Sequence, residues 1–224
     1  MVDDGSTDNT IEAIQSTEKQ GIRVSSISLG HNQGKGSAIA HGISVMKEKE
    51  NGIGQIILIA DADGSADISY LNDMVKSLSD TIETSQMMIN PWNVKSIVVG
   101  CRNDGTLPSR KITRWGFKRV VKFICGDLRI DDTQCGFKLM TLDAGAILYK
   151  DLNLQRWTHD VEVLYRAKLL GISTSEVPIG WQDKDGSKLA TSFLQTVIVS
   201  LEMLLEILWM RLNYSIGRWR PDLI

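Results

Sequence analysis

The sequence predicts an α/β protein with a mostly parallel β-sheet flanked by helices. Two observations predict it: segments of β-type and helical periodicity alternate along the chain, and Gln55 to Ala60 is a short apolar run typical of a central parallel strand. No internal repeat and no Pro/Gly/Ser-rich linker interrupts this order, which favours one domain. Ligands of such sheets bind beyond the carboxyl ends of the strands, so the site is expected there.

The individual elements follow from apolar periodicity and from capping residues. Helices are predicted at about residues 8–20, 37–49, 68–78, 107–124 and 158–170. Strands are predicted at 22–29, 55–60, 96–100 and 173–177. Thr81 to Lys95 has weak periodicity and a proline, and we expect a surface excursion there.

Composition sets broad limits on function. The 224 residues are 42% hydrophobic and 23% charged, with a net charge of −2, so nothing indicates a nucleic-acid partner. Three cysteines without metal-ligand spacing predict neither a disulfide framework nor a zinc site and favour a reducing compartment. The sequence opens without the pattern of a signal peptide or a membrane anchor.

Two acidic segments follow β-type segments. Asp3–Ser6 and Asp61–Gly64 each begin with carboxylates where a parallel strand is predicted to end. Carboxylates gathered at one sheet edge repel one another unless a cation compensates, and Mg²⁺ takes carboxylate oxygens together with substrate phosphates. The pattern predicts a metal and diphosphate site, although one Asp-Gly pair alone is more typical of a simple turn.

Two further segments have the composition of anion-binding sites. Gly34-Lys35-Gly36 opens a predicted helix, where backbone N–H groups can bind phosphate, but it also fits a simple turn. No acidic residue occurs between Asp104 and Asp127. The basic residues of that stretch are Arg110, Lys111, Arg114, Lys118, Arg119 and Lys122. Their helical spacing suits an anionic lipid surface or a phosphate, and equally a solvated basic face.

Several motifs, in their order and spacing, resemble those of family 2 glycosyltransferases with the GT-A fold. They are Val2–Asp8, Asn32–Gly36, Asp61–Gly64, Asp132–Lys138, Arg156-Trp157, Asp160–Leu164 and Gly186–Leu189. The segment Asp132–Lys138 is the most specific, because it resembles enzymes that transfer a sugar onto a polyprenyl phosphate. Together with Arg156-Trp157 and Gly186–Leu189 it is more similar to the dolichyl-phosphate β-glucosyltransferase family than to the mannosyl enzymes. The resemblance spans Val2 to about Leu189.

The resemblance implies roles for individual residues. Asp3 or Asp4 would bind the base, and Asp61 would lie by the ribose. Asp63 would hold the Mg²⁺ or Mn²⁺ that bridges the diphosphate. The acceptor phosphate would be bound by Arg102 and Arg114, which with Asp63 form the expected catalytic set. The other expected substrate-binding residues are Ser6, Gly34, Lys35, Gln134, Lys138, Trp157, Asp160 and Lys188, although Gln134 and Trp157 also fit packing or capping.

The implied reaction is inverting transfer of glucose from UDP-glucose to dolichyl phosphate. The product, dolichyl β-D-glucosyl phosphate, serves N-glycan precursor assembly, which implies the cytosolic face of the endoplasmic reticulum membrane. A lipid monophosphate is already ionised near neutral pH, so none of His31, His41 and His159 is expected to be a catalytic base. A mannosyltransferase using GDP-mannose is one alternative. A non-catalytic nucleotide-binding or assembly protein is another, because the family's amino-terminal membrane helix and first strand are absent from this sequence.

The C-terminal segment differs in character from the rest. We expect residues 1–190 to form the GT-A domain and residues 191–224 to carry an amphipathic, membrane-interfacial helix. Large apolar residues fill 193–212, but charged residues interrupt them, so a spanning helix is not expected. Residue types that settle at the headgroup level are Trp209, Arg211, Arg218, Trp219 and Arg220. Packing on the domain or in a homo-oligomer is the alternative.

Overall fold

The computed structural model describes residues 1–19, 24–49, 55–85, 94–102, 108–182 and 193–221. In chain order the described elements are β1 (Val2–Asp3), α1 (Thr10–Lys19), β2 (Ile27–Ser28), α2 (Lys35–Lys49), β3 (Ile56–Ile59), a 3₁₀ turn (Ile68–Tyr70), α3 (Leu71–Ser85), β4 (Ser96–Arg102), α4 (Pro108–Cys125), β5 (Lys138–Thr141), α5 (Leu142–Leu148), α6 (His159–Leu170), β6 (Ser173–Ile179) and α7 (Phe193–Ser215). Strands and helices alternate for most of this order, which confirms the predicted α/β class.

The main sheet has four strands in the order β3-β5-β4-β6. Strand β5 is antiparallel to both of its neighbours, and β4 is parallel to β6. Therefore β3, β4 and β6 run in the same direction. Strands β1 and β2 form a separate parallel pair.

Strand β5 and helix α5 were not predicted from the sequence. All four residues of β5 are buried, yet its first residue, Lys138, is a charged side chain that interrupts the apolar pattern. An ion pair with Asp160 makes that burial tolerable. A four-residue strand that begins with a charged residue gives no period that can be read locally.

The core lies on both sides of β4. Ile97, Val98 and Val99 are fully buried, and α3 packs Met74 and Leu78 against them. The expected surface excursion at Thr81–Lys95 is wrong for its first residues, because α3 continues to Ser85. Ile82 packs against the core, and this contact stabilises the last turn of the helix. Residues 86–93 lie outside the described part of the chain.

Helix α7 packs on the domain through one of its faces. Ile207, Met210 and Asn213 are buried on that face, and α7 contacts α4 and α6. Tyr214 meets Tyr165 of α6 edge-on at 5.4 Å between ring centroids, and Trp219 meets Tyr214 at 5.7 Å. Trp219 is thus half-buried against the domain, which differs from the headgroup position expected for it.

Candidate active site

The first acidic strand end is the β1 terminus. Asp3 is buried, and its two carboxylate oxygens accept the Ser6 N–H at 3.2 and 3.3 Å, while the Ser28 hydroxyl donates to one of them at 3.3 Å. Hydrogen bonds from Ser6 outweigh the effect of burial and lower the pKa of Asp3. Asp3 therefore shapes the turn after β1, with the exposed Ser6 at its rim.

Asp4 fixes the glycine segment that opens α2. Its carboxylate accepts the backbone N–H of Gln33 at 2.7 Å and that of Gly34 at 2.9 Å. Gly34 has a φ of +98°, which favours glycine, and Gly36 donates its N–H to the Gln155 carbonyl at 2.8 Å. These three amides thus have partners within the protein. The segment Gly34–Gly36 is docked on residues 155–159 rather than open to an anion at these N–H groups.

The second acidic segment follows β3. Lys35 Nζ lies 2.5 Å from Asp61 Oδ1, so the glycine segment is linked to this strand end as well. The Asp61 carboxylate lies over Gly136, where an added Cβ would come within 2.7 Å of Asp61 Cγ. Asp63 is exposed, and one of its oxygens accepts the Ser65 N–H at 2.9 Å. Within the described residues, no three His, Cys, Asp or Glu side chains are grouped to hold a metal ion.

The arginines predicted for the acceptor converge on Asp132. Arg102 at the end of β4 donates Nε and one terminal nitrogen to the two carboxylate oxygens of Asp132, each at 2.6 Å. Arg114 of α4 donates to the Arg102 carbonyl at 2.6 Å, and the same nitrogen lies 3.7 Å from Asp132. The two guanidinium groups are therefore neighbours. Sequence reasoning singled out the motif that Asp132 opens but gave this residue no role.

Trp181 connects the arginines with the acidic loop, and sequence reasoning missed it. Arg102 lies over the Trp181 ring, with its guanidinium carbon 5.1 Å from the ring centroid. Trp181 forms an isolated antiparallel bridge with Ala66, and the Gln182 N–H donates to the Ser65 carbonyl at 2.9 Å. The signal that could have found it is its position just beyond β6, at the edge where ligands bind.

Lys138 and Asp160 form an ion pair in the interior. Lys138 is 1% exposed, and its Nζ donates to Asp160 Oδ1 at 2.7 Å and to the Cys135 carbonyl. His159 Nε2 lies 3.1 Å from the same Oδ1, although the two atoms are not aligned for a hydrogen bond. Burial alone would raise the pKa of Asp160, but His159 and Lys138 outweigh it and hold that pKa far below its usual range. This burial favours a supporting role for Lys138.

The remaining predicted residues lie around this centre. The Gln134 amide donates to the Trp157 carbonyl at 3.3 Å, and Trp157 is partly exposed. Lys188 lies outside the described residues. The structure thus joins Lys35 to Asp61, Arg102 and Arg114 to Asp132, and Gln134 to Trp157.

Acidic neighbours pair with part of the predicted basic face of α4. Lys118 pairs with Asp131 at 2.5 Å and Lys122 pairs with Asp127 at 3.1 Å. Arg119 stacks on Trp115 instead, with its guanidinium carbon 4.4 Å from the ring centroid. The side chains of Arg110 and Lys111 are not among those described. Of the described basic residues of α4, Arg114 is the one that contacts Arg102 and lies near Asp132.

Comparison with known sequences identifies relatives over nearly the whole chain. Residues 1–99 match the family described as glycosyl transferase family 2. The dolichyl-phosphate beta-glucosyltransferase of Mus musculus is 35% identical over 231 residues, which are 98% of this chain and 65% of that protein. The corresponding Saccharomyces cerevisiae protein is 32% identical over 235 residues, covering 99% of this chain and 66% of that protein. The chain therefore spans just under two thirds of the length of these relatives.

Solved structures share the fold. Glucosyl-3-phosphoglycerate synthase of Mycobacterium tuberculosis, in complex with phosphoglyceric acid, matches with a TM-score of 0.55 and 14% identity, covering 94% of this chain and 67% of that one. The same synthase in complex with Mn²⁺ and UDP-glucose matches with a TM-score of 0.51 and 15% identity, covering 92% and 66%. By the match of residues 1–99, this chain contains a glycosyl transferase family 2 domain, and its fold is GT-A.

Proposed function

We propose that this chain transfers glucose from UDP-glucose to dolichyl phosphate, giving dolichyl β-D-glucosyl phosphate. The observation that carries the proposal is the junction at Trp181, which joins the acidic loop around Asp63 to the pair Arg102 and Arg114. Asp63, a carboxylate that can bind the metal ion of a diphosphate, therefore lies in the same edge region as Arg102 and Arg114, which can bind a second phosphate. Similarity to dolichyl-phosphate beta-glucosyltransferases over 98% of the chain supports glucose as the transferred sugar and dolichyl phosphate as the acceptor.

The donor side is formed by the β1 and β3 ends. We assign the base to the turn held by Asp3, Asp4 and Ser6, and the ribose to Asp61 with Lys35. The Asp4 carboxylate accepts the backbone N–H of Gly34. We therefore expect Asp4 to act by shaping the nucleotide pocket as much as by direct contact with the substrate. Lys188 is proposed to reach the donor phosphates. Asp160, paired with Lys138, is proposed to support the floor of this pocket beside Gln134 and Trp157.

A divalent cation fits the residues present. Asp63 is an exposed carboxylate with one oxygen on the Ser65 N–H, and Mg²⁺ or Mn²⁺ commonly binds one or two carboxylates together with substrate phosphates. Asp63 would hold the ion, with Asp61 beside it on the same loop. When bound, the ion offsets the charge of the departing diphosphate.

The acceptor chemistry follows from the arginines. An ionised oxygen of the lipid phosphate attacks the anomeric carbon, the bond from that carbon to the nucleoside diphosphate breaks, and the configuration inverts. The nucleophile needs no general base, because the phosphate is already ionised near neutral pH. Arg102 and Arg114 would hold that phosphate in line and reduce repulsion between two anionic substrates.

Transfer of labelled glucose from UDP-glucose to a polyprenyl phosphate in detergent tests this proposal. We expect a lipid-linked product with Mg²⁺ or Mn²⁺, loss of product with EDTA, and no product from GDP-mannose. The Asp63→Ala variant should keep its fold and lose metal-dependent transfer. A folded protein that transfers mannose instead, or binds UDP-glucose without any transfer, would contradict the proposal.

Helix α7 supplies the surface that we propose to lie on the membrane at the cytosolic face of the endoplasmic reticulum. Its outer face carries large exposed apolar side chains at helical spacing: Ile198, Leu201, Leu205, Leu208, Trp209, Leu212 and, just beyond the helix, Ile216. Arg218 and Arg220 are exposed beside its C-terminal end, where anionic headgroups would meet them. Among the described residues, no helix has the length and apolar character needed to cross a bilayer. A lipid-linked acceptor and an interfacial helix are mutually consistent.

A further inference from the structure

Asp132 has an unusual environment for a carboxylate at a ligand-binding edge. It is 2% exposed, and each of its two carboxylate oxygens accepts a hydrogen bond from a guanidinium nitrogen. Arg102 donates to it through Nε and a terminal nitrogen at 2.6 Å each and through its backbone N–H at 3.2 Å. A terminal nitrogen of Arg114 lies 3.7 Å from Oδ2, the oxygen that also binds Arg102 Nε. One buried carboxylate thus lies between two guanidinium groups.

The position of Asp132 is itself fixed by the sheet. The Asp132 backbone N–H donates to Glu176 Oε1 at 2.8 Å, and the N–H of Asp131 donates to both Glu176 oxygens at 3.1 Å. Glu176 lies on β6, the parallel neighbour of β4, and β4 ends at Arg102. The carboxylate and the arginine it holds are therefore anchored to adjacent strands. Rigid support of this kind is what a preorganised binding group requires.

We propose that Asp132 is a positioning residue that holds Arg102 and Arg114 side by side for the phosphate of the acceptor. This inference rests on the proposed function. Two guanidinium groups repel each other in half-buried surroundings, and a shared carboxylate offsets that repulsion. The two-point contact also fixes the plane of the Arg102 guanidinium, which a single-point contact would leave free to rotate. Trp181 supports the same plane from its ring face.

The test compares Asp132→Asn with Asp131→Asn, which removes the same charge one residue away. The Asp131 side chain is 64% exposed and pairs with Lys118 on the surface. Each variant makes the region more positive, which by itself favours an anionic acceptor. Only Asp132→Asn deprives the arginines of their common partner. We expect it to raise the KM for polyprenyl phosphate by about tenfold or more, as loss of a supporting partner commonly does, and to leave the KM for UDP-glucose unchanged.

A binding measurement separates failure of this inference from failure of the proposed function. Calorimetric titration with a short-chain polyprenyl monophosphate needs no turnover. If wild type and Asp131→Asn bind it and Asp132→Asn does not, the inference holds even if no glucose is transferred. The inference is overturned if folded Asp132→Asn binds the monophosphate as tightly as wild type does. It is also overturned if this variant binds more tightly than wild type, which is the result expected for Asp131→Asn.

A second variant covers the case in which Asp132→Asn does not fold. Asp132→Glu keeps the buried charge but moves the carboxylate by one methylene group, so the arginines are misplaced while the ion pair survives. We expect weaker binding of the polyprenyl monophosphate, with less loss of stability than for Asn. Unchanged binding by folded Asp132→Glu would also overturn the inference.

Discussion

Replacing Lys138 by methionine tests whether the Lys138–Asp160 pair supports the fold. Methionine has a similar length and can fill the space, but it leaves the Asp160 carboxylate buried without the lysine ammonium group. Breaking a buried pair by removing one partner costs about 3–5 kcal/mol. Because His159 Nε2 lies 3.1 Å from the same oxygen and can compensate in part, we expect the lower end, about 3 kcal/mol.

Chemical and thermal unfolding followed by circular dichroism measures this cost. For a domain of this size about 3 kcal/mol corresponds to a fall in Tm of about 6–12 °C. The double variant Lys138→Met/Asp160→Asn removes both charges and should be more stable than Lys138→Met alone. A Lys138→Met protein with the wild-type unfolding midpoint and a raised KM for UDP-glucose or acceptor would refute this reasoning and restore direct substrate contact.

Three further predictions address the donor loop, the outer face of α7 and a buried thiol. Gly136→Ala should raise the KM for UDP-glucose, because the new Cβ displaces Asp61, whereas Gly116→Ala, with no atom within 4 Å, should not. Leu205→Glu, unlike Leu205→Met, should weaken co-sedimentation with anionic lipid vesicles, because Leu205 is among the most exposed apolar residues of α7. Burial raises the pKa of Cys125 to about 11, so the unfolded chain loses this proton first and the free energy of unfolding falls between about pH 9 and 11. Denaturant titrations across that range give the free energy of unfolding at each pH. For Cys125→Ala this free energy should fall less steeply than for wild type, by about 1.4 kcal/mol per pH unit.

The helices and the acidic strand ends could be predicted from the sequence because their signals are local. An amphipathic helix such as α3 repeats its apolar residues every three or four positions, and Asp61–Gly64 follows an apolar run directly. The family motifs indicated which side chains of these segments are expected to bind substrate. Strand β5 could not be predicted, because the burial of Lys138 depends on Asp160, a partner 22 residues away.

The partners of the site residues were equally out of reach of the sequence. Nothing in the motif Asp132–Lys138 indicates that its first residue binds Arg102, since the arginine lies 30 residues earlier in the chain. Trp181 belongs to no motif, and its role depends on the pairing of β6 with β4. Such contacts are set by tertiary packing, which local patterns do not encode.

The charges of the site explain why a divalent cation is expected beyond the family pattern. Among the described residues assigned to the site, the cations Lys35, Lys138, Arg102 and Arg114 are outnumbered by the carboxylates of Asp3, Asp4, Asp61, Asp63, Asp132 and Asp160. A cluster with this excess of carboxylates provides little net attraction for a nucleoside diphosphate and a lipid phosphate together. Added positive charge must therefore come with the donor or from residues outside the centre. An ion held by Asp63, as proposed above, would supply that charge, and the two arginines would remain available for the acceptor phosphate.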